Sequence, residues 1–233
     1  RRPFRPVRPG GKGTDAVKPL DLLAVGELNA DLILEAQGPL PALGEERLCR
    51  SAALMLGSST AICACVGASL GLRTAFFGRL GQDPFGKVCR ETLRRYGVDD
   101  SCVSPVRGDT GITVSISYRR DRALITAPGA TVDAFSADEV PRALLSDCRH
   151  LHVGSYYMNT RLAAGLAALF AAARARGATT SLDVGWDPSE RWDGHLREVL
   201  RVTDLFFPNE GEVCAIGRSG DCRRAADSVL AHL

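Results

Sequence analysis

Residues 56–86, LGSSTAICACVGASLGLRTAFFGRLGQDPFG, decide the fold of this chain. The small-residue turn at 57–59 opens a run of small and apolar residues that ends at Gly71. Such a run favours a slender helix that can pack closely. The apolar segment 74–78 predicts a buried strand, and the turn at 81–84 opens another helix. The stretch therefore predicts a helix–strand–helix unit whose first turn lets the backbone approach a ligand.

The rest of the chain alternates between apolar runs and helical segments. Asp83 is a suitable N-cap, Pro84 suits the first helical turn and Gly97 suits the helix end. Strands that alternate with helices predict an α/β fold, with a mainly parallel sheet and helices on both faces. We expect strands at 21–26, 150–154, 179–184 and 205–207 (the last one buried), and helices at 84–96, 137–148, 161–176 and 221–233.

Composition is that of an ordinary soluble globular protein, with 45% apolar and 24% charged residues among 233. Residues 1–19 hold six basic side chains and one acidic side chain, and contain no apolar run of the kind found in secretory signals. We interpret them as a disordered basic leader; an arm for nucleic acid or membranes is the alternative. No apolar run reaches the roughly 18 residues of a membrane span. We expect a cytoplasmic protein with no nucleic-acid or membrane partner.

The eight cysteines include no CxxC pair and show no zinc-like spacing with histidine. We expect them to be free, mostly buried thiols of a reducing compartment. His150 and His152 alternate along a predicted strand, share one face and could bind a metal ion. No third ligand lies near them in sequence, so we do not expect a metal there.

Two polar pairs and one glycine follow predicted strands, where ligands bind in open α/β sheets. Asn29 and Asp31 could together donate to and accept from neighbouring hydroxyls, or could form a polar turn. Gly154 ends another strand and could touch substrate. Asn209 and Glu212 could form a capping box, and the Glu212 carboxylate also suits Mg²⁺ held through water. One helix start can serve both purposes.

The 56–86 stretch resembles the first signature of the ribokinase (PfkB) family of carbohydrate kinases. Gly57, the Leu-Gly pair at 70–71 and the segment GQDPFG at 81–86 match that signature. Ser58 stands where a second glycine is usual. Ile62 stands where the family has an asparagine that binds a sugar hydroxyl, a bond that isoleucine cannot make.

The resemblance covers about residues 20–230 and implies a ribokinase-like fold, in which segments 32–55 and 108–128 form a small inserted β lid. It implies transfer of the γ-phosphoryl group of ATP to a sugar hydroxyl, with Mg²⁺ as cofactor. A homodimer through the lid is a further expectation. Together with Gly154, which is predicted from its strand end, the residues expected to bind substrate are Asn29, Asp31, Gly57, Ser58 and Asp183. The resemblance also implies Asn209 and Glu212 for nucleotide phosphates, and Glu212 for Mg²⁺.

Two departures from the family pattern limit this expectation. Gly185 replaces an asparagine two residues after Asp183, and the sequence contains no G-x-G-D motif. In the family that motif binds phosphate at a helix N-terminus and supplies the general base. We therefore expect a C-terminally incomplete chain that is inactive as it stands and exposes a sheet edge and an apolar helix face.

Two hypotheses of different classes remain. The parent protein is an ATP-dependent carbohydrate kinase, or the chain is a non-catalytic sugar-binding or regulatory relic of the same fold. A dinucleotide-dependent oxidoreductase would need G-x-G-x-x-G after the first strand, and GELN at 26–29 does not supply it.

Overall fold

The computed structural model describes residues 19–233. The predicted leader, residues 1–19, therefore lies outside the described residues except for its last position. Ten strands occur in the described part, namely β1 (Leu20–Val25), β2 (Asn29–Ala36), β3 (Cys49–Leu56), β4 (Thr74–Leu80), β5 (Asp99–Pro105), β6 (Gly111–Tyr118), β7 (Asp121–Ala127), β8 (Cys148–Val153), β9 (Thr179–Leu182) and β10 (Leu205–Phe206).

Six of these strands form the main sheet, in the order β10-β9-β8-β1-β4-β5. Every neighbouring pair in it is parallel. From the central β1 the chain first builds β4 and β5 on one side, and later β8, β9 and β10 on the other. The strand order thus reverses at β1, and ligands of open α/β sheets bind beside the carboxyl ends of the strands at such a point.

Helices cover both faces of this sheet. Ala24 of β1 packs in the cluster formed with α1 and α2, whereas Leu23 and Val25 point into the cluster formed with α4. No helix between residues 19 and 233 combines the length and the apolar character that a membrane crossing requires. The helices of the described part are α1 (Ser59–Ser69), α2 (Pro84–Arg95), α3 (Arg142–Asp147), α4 (Thr160–Arg174), α5 (Leu196–Leu200), α6 (Glu210–Ile216) and α7 (Cys222–Leu230).

The remaining four strands form a separate sheet in the order β3-β2-β6-β7. The central pair, β2 and β6, is parallel, and both outer pairs are antiparallel. The segments predicted as a lid, 32–55 and 108–128, supply most of these strands. That the small sheet closes over a ligand stays a prediction.

Local capping sets the bounds of α2 as the sequence predicts. The Asp83 side chain accepts a hydrogen bond of 2.7 Å from the backbone of Gly86, and Pro84 is the first helical residue. Gly97 follows the helix end with φ +79°, a left-handed conformation that suits glycine. The mainly parallel α/β fold with helices on both faces is likewise confirmed.

The prediction of one continuous helix over residues 137–148 is wrong, since only its second half is an α-helix. A 3-10 turn spans Ala137–Glu139, Pro141 follows it, and α3 is restricted to Arg142–Asp147. Proline has no N–H to donate and disfavours helix continuation from the residue before it. The backbone therefore leaves the turn at Val140 in an extended conformation and starts a new short helix.

Both edges of the main sheet differ from expectation. The strand predicted as buried at 205–207 is only two residues long, and Leu205 and Phe207 are 50% and 55% exposed. As the edge strand it pairs within the described chain only with β9. The opposite edge, β5, was not predicted at all, because its sequence DDSCVSP has no apolar run and buries fully only Val103.

Candidate functional site

The start of α1 lies against the carboxyl ends of β1 and β8. A Cβ atom at Gly154 would lie 2.5 Å from Ser59 Oγ, and one at Gly26 would lie 2.5 Å from Thr60 Oγ1. Both positions therefore require glycine. The backbone N–H of Gly154 donates to Thr60 Oγ1 at 3.0 Å. These contacts give Gly154 a packing role, and its predicted contact with substrate remains a prediction.

Asn29 and Asp31 form a connected pair at this edge. Asn29 Nδ2 donates to Asp31 Oδ1 at 3.1 Å and to Thr113 Oγ1 at 3.2 Å. Burial raises the pKa of Asp31, against the opposing effects of the Asn29 hydrogen bond and the Arg122 charge. No described residue donates to Asp31 Oδ2 or Asn29 Oδ1, and neither atom is sealed from solvent. These two oxygens are available to hydroxyl donors.

The backbone of Gly57 closes tightly over that pair. A Cβ atom at Gly57 would lie 2.6 Å from Asp31 Cγ and 2.8 Å from Asn29 Nδ2, so any side chain there would displace the pair. The next residue, Ser58, has φ +68° and caps α1 by accepting from the backbone of Ala61 at 3.2 Å. A left-handed conformation is unusual for serine and costs little for glycine. The serine therefore occupies a position whose backbone favours glycine.

Glu27 was not predicted as a site residue from the sequence, yet it is only 3% exposed at the centre of this edge. Its Oε2 accepts a hydrogen bond of 2.8 Å from Asn159 Nδ2. Burial raises the pKa of Glu27, and hydrogen bonds from Ser155, Asn159 and Ser58 oppose the rise. An acidic residue directly after the Gly that ends an apolar strand was the signal that could have found it.

The start of α6 forms a second polar group. Asn209 Oδ1 accepts from the backbone of Glu212 at 2.9 Å, and Glu212 Oε2 accepts from the backbone of Asn209 at 2.9 Å. This is the capping box that the spacing predicts. Burial, followed by the charge of Asp183, raises the pKa of Glu212. The other oxygen of Glu212, Oε1, receives no hydrogen bond from residues 19–233.

Asp183 lies at the carboxyl end of β9, between the β1 edge and α6 in the strand order. It follows β9, where its backbone N–H donates to Val153 at 2.9 Å, and no described group donates to its carboxylate. Burial is the main cause that raises the pKa of Cys63 on α1, and the charge of Asp183 adds to it. The charge of Asp183 also adds to the raised pKa of Glu212. Asp183 therefore lies within electrostatic reach of both α1 and α6.

Ile62 and Gly185 occupy the positions at which the family motif has asparagine. Ile62 lies on the outer side of α1, where about half of its surface is exposed. Gly185 adopts φ +64°. Neither residue has a polar side chain, so hydrogen bonds to a ligand from this part of the site depend on Asp183 and on the Asn29–Asp31 pair.

The two strand histidines form hydrogen bonds within the protein. His150 Nε2 and His152 Nδ1 both contact Ser181 Oγ, at 2.7 and 2.8 Å. Burial lowers the pKa of His152 to about 4; Asp183 opposes this shift and His150 adds to it. No group of three or more His, Cys, Asp or Glu side chains in the described range has the geometry of a metal site.

Comparison with known proteins identifies the family. The profile of the pfkB family carbohydrate kinases matches residues 20–229. An uncharacterized sugar kinase of Archaeoglobus fulgidus is 27% identical over 69% of this chain and 63% of its own length. An ATP-dependent ribose-1-phosphate kinase of Halopiger xanaduensis is 26% identical over 84% of this chain and 63% of its own length. The chain thus spans about 63% of these curated relatives.

Solved structures agree on the fold. The ribokinase of Arabidopsis thaliana, solved in complex with ribose and ATP, superposes with a TM-score of 0.71 at 24% identity. The superposition covers 91% of this chain and 68% of the ribokinase. At this identity the likeness shows the fold alone, whereas the family profile covers most of the chain. The chain belongs to the pfkB family of carbohydrate kinases.

Proposed function

We propose that the protein of which this chain is a part transfers the γ-phosphoryl group of ATP to a hydroxyl of a sugar. The observation that carries the proposal is that two polar groups follow strands of the main sheet, one after β1 at the switch point of the strand order and the other after the edge strand β10. One is the Asn29–Asp31 pair, and the other is the capping box at the start of α6. Asp183 lies within electrostatic reach of the second group and of α1.

Asn29 and Asp31 hold the sugar in this proposal. Their free oxygens accept hydrogen bonds from neighbouring hydroxyls, a recognition mode that rejects acceptors lacking those hydroxyls. Gly57 lets the backbone approach, and Ser58 fixes the turn. Strand β2 of the small sheet begins at Asn29. Closure of the small sheet over the sugar would exclude water, which competes as a phosphoryl acceptor.

Asp183, Asn209 and Glu212 form the phosphate side of the site. Glu212 Oε1 and the Asp183 carboxylate are hard oxygen ligands that accept no hydrogen bond from the described residues. The charge of Asp183 disfavours ionisation of Glu212. Such a pair fits Mg²⁺, which prefers oxygen ligands and keeps several of its waters. When bound, Mg²⁺ would neutralise charge on the phosphate oxygens. Glu212 would hold it through water. The sequence offers no G-x-G-D motif, so we assign no residue as the general base.

The first test is equilibrium binding to this chain by calorimetry, with ribose, fructose, ribose 1-phosphate and a nucleoside as ligands. We expect one of them to bind, and Asp31→Asn to weaken it at least about tenfold, since a charged acceptor is lost. Asp99→Asn, at the start of β5, is the matched control and should leave the affinity for the ligand unchanged. Absence of binding by every ligand, or equal affinity for Asp31→Asn, would refute the assignment of the sugar site.

The second test concerns turnover. The coding sequence should be read past Leu233, and the encoded protein assayed for ADP release with the sugar found above. We expect release that depends on Mg²⁺, and Glu212→Gln to raise the Mg²⁺ concentration needed. Ile62 and Gly185 favour the alternative, a sugar-binding protein without transfer. That alternative holds if sugar binds with no effect of MgATP and no ADP is released.

A further inference from the structure

A pair of cysteines connects the last two helices of the described chain. Cys214 lies in the second turn of α6 and Cys222 is the first residue of α7. Their sulfur atoms are 3.0 Å apart, and both are free thiols. A disulfide bond is about 2.05 Å long, so the sulfurs need approach by only ~1 Å to bond.

The local structure holds this approach in place. A Cβ atom at Gly217 would lie 2.6 Å from Ala225 Cα, so the end of α6 is packed directly on α7. The Asp221 side chain caps α7 by accepting from the backbone of Arg223 at 2.9 Å. The thiol of Cys222 also donates to the backbone carbonyl of Glu210, at 3.5 Å, in the first turn of α6. Both cysteines remain partly exposed, so a small oxidant can reach them.

We propose that Cys214 and Cys222 are an oxidative modification site, which a hydroperoxide converts to a reversible disulfide between α6 and α7. The inference does not depend on the proposed kinase function. One thiol attacks the peroxide O–O bond, giving a sulfenic acid and releasing an alcohol, or water from hydrogen peroxide. The second thiol attacks that sulfur, forming the S–S bond and releasing water. The two thiols lose two electrons in total, and a dithiol reductant returns both.

Peptide mapping tests the site directly. The native, reduced chain is treated with one equivalent of hydrogen peroxide, alkylated and digested with trypsin. Because Arg218 separates the two cysteines, the disulfide would join peptides 202–218 and 219–223. We expect this joined pair to be the main oxidation product, to lose about 2 Da relative to the separate peptides, and to disappear with dithiothreitol.

Single-cysteine variants provide the controls. Cys214→Ser and Cys222→Ser should each abolish the joined pair, whereas Cys49→Ser, at an exposed thiol on β3, should leave it unchanged. Sulfinic acid on single cysteines, or a different cysteine pair as the main product, would each overturn the proposal.

Discussion

The side-chain amide of Asn159 donates a hydrogen bond of 2.8 Å to Oε2 of Glu27, across 132 residues of sequence. Both side chains are buried, and the same amide also donates to the backbone carbonyl of Ser155 at 3.0 Å. The turn after β8 is thereby joined to the turn after β1. Because these turns flank the switch point of the sheet, the hydrogen bond between Asn159 and Glu27 holds together the backbone beneath the candidate site.

Removal of the Glu27 carboxylate should destabilise the fold. Glu27→Ala leaves one N–H of the buried Asn159 amide without an acceptor and opens a cavity, and we expect a loss of about 2–4 kcal/mol in the free energy of unfolding. Glu27→Gln keeps an acceptor oxygen and should cost only about 1–2 kcal/mol. Urea denaturation followed by circular dichroism measures both. Glu91→Ala, at an exposed side chain on α2, should change stability by less than about 0.5 kcal/mol. Equal losses for Glu27→Ala and Glu91→Ala would contradict the role given to the pair.

Gly57→Ala should weaken sugar binding without unfolding the chain. The added methyl group would lie within 3 Å of Asp31 Cγ and Asn29 Nδ2, so that pair must move. We expect an affinity loss of at least about tenfold by calorimetry, since small displacements of binding groups are costly. Gly38→Ala is the control, because a Cβ atom there meets nothing within 4 Å. Unchanged affinity in Gly57→Ala would place the sugar elsewhere.

His152 should make stability depend on pH in mildly acidic solution. Its pKa is about 4 in the folded chain, below the ordinary value of 6.5, mainly because of burial. The unfolded chain therefore binds the proton first as the pH falls. The contribution of His152 is fully present above pH 6.5, is lost between pH 6.5 and 4, and amounts to about 3 kcal/mol at most.

His152→Asn tests this dependence, because its amide can replace ring Nδ1 as a partner of Ser181. We expect a flatter curve of the free energy of unfolding between pH 6.5 and 4 than in the wild type. His195→Asn, at an exposed histidine before α5, should keep the wild-type slope. If His152→Asn kept that slope as well, another group would be responsible for it.

Short-range signals predicted much of the fold. The bounds of α2 follow from Asp83, Pro84 and Gly97, which act on neighbouring backbone groups. The capping box of Asn209 and Glu212 is likewise a spacing of three residues. Alternation of strands and helices was enough to predict the parallel sheet, because connections between parallel strands need such helices.

Features that depend on long-range neighbours were missed. The buried state of Glu27 depends on Asn159, which lies far away in sequence, and β5 is defined by its pairing with β4 rather than by its own residues. The exposure of Phe207 depends on which strand ends the sheet. The closeness of Cys214 and Cys222 depends on how α7 packs on α6. In each case the partner, not the residue type, sets the structure.

The outer face of α1 should mediate self-association of this chain. Ile62, Val66 and Leu70 are spaced four residues apart, so they lie on one side of the helix. They are 47%, 51% and 77% exposed, an apolar stripe that water disfavours. We expect an average mass above that of the monomer at micromolar concentration in sedimentation equilibrium, and Val66→Glu to restore the monomer.

A homodimer through the small sheet is the competing arrangement, and Leu124→Glu, at an exposed residue of β7, tests it. Association that survives Val66→Glu and disappears in Leu124→Glu would assign the contact to the small sheet, and a monomeric wild type would rule out both.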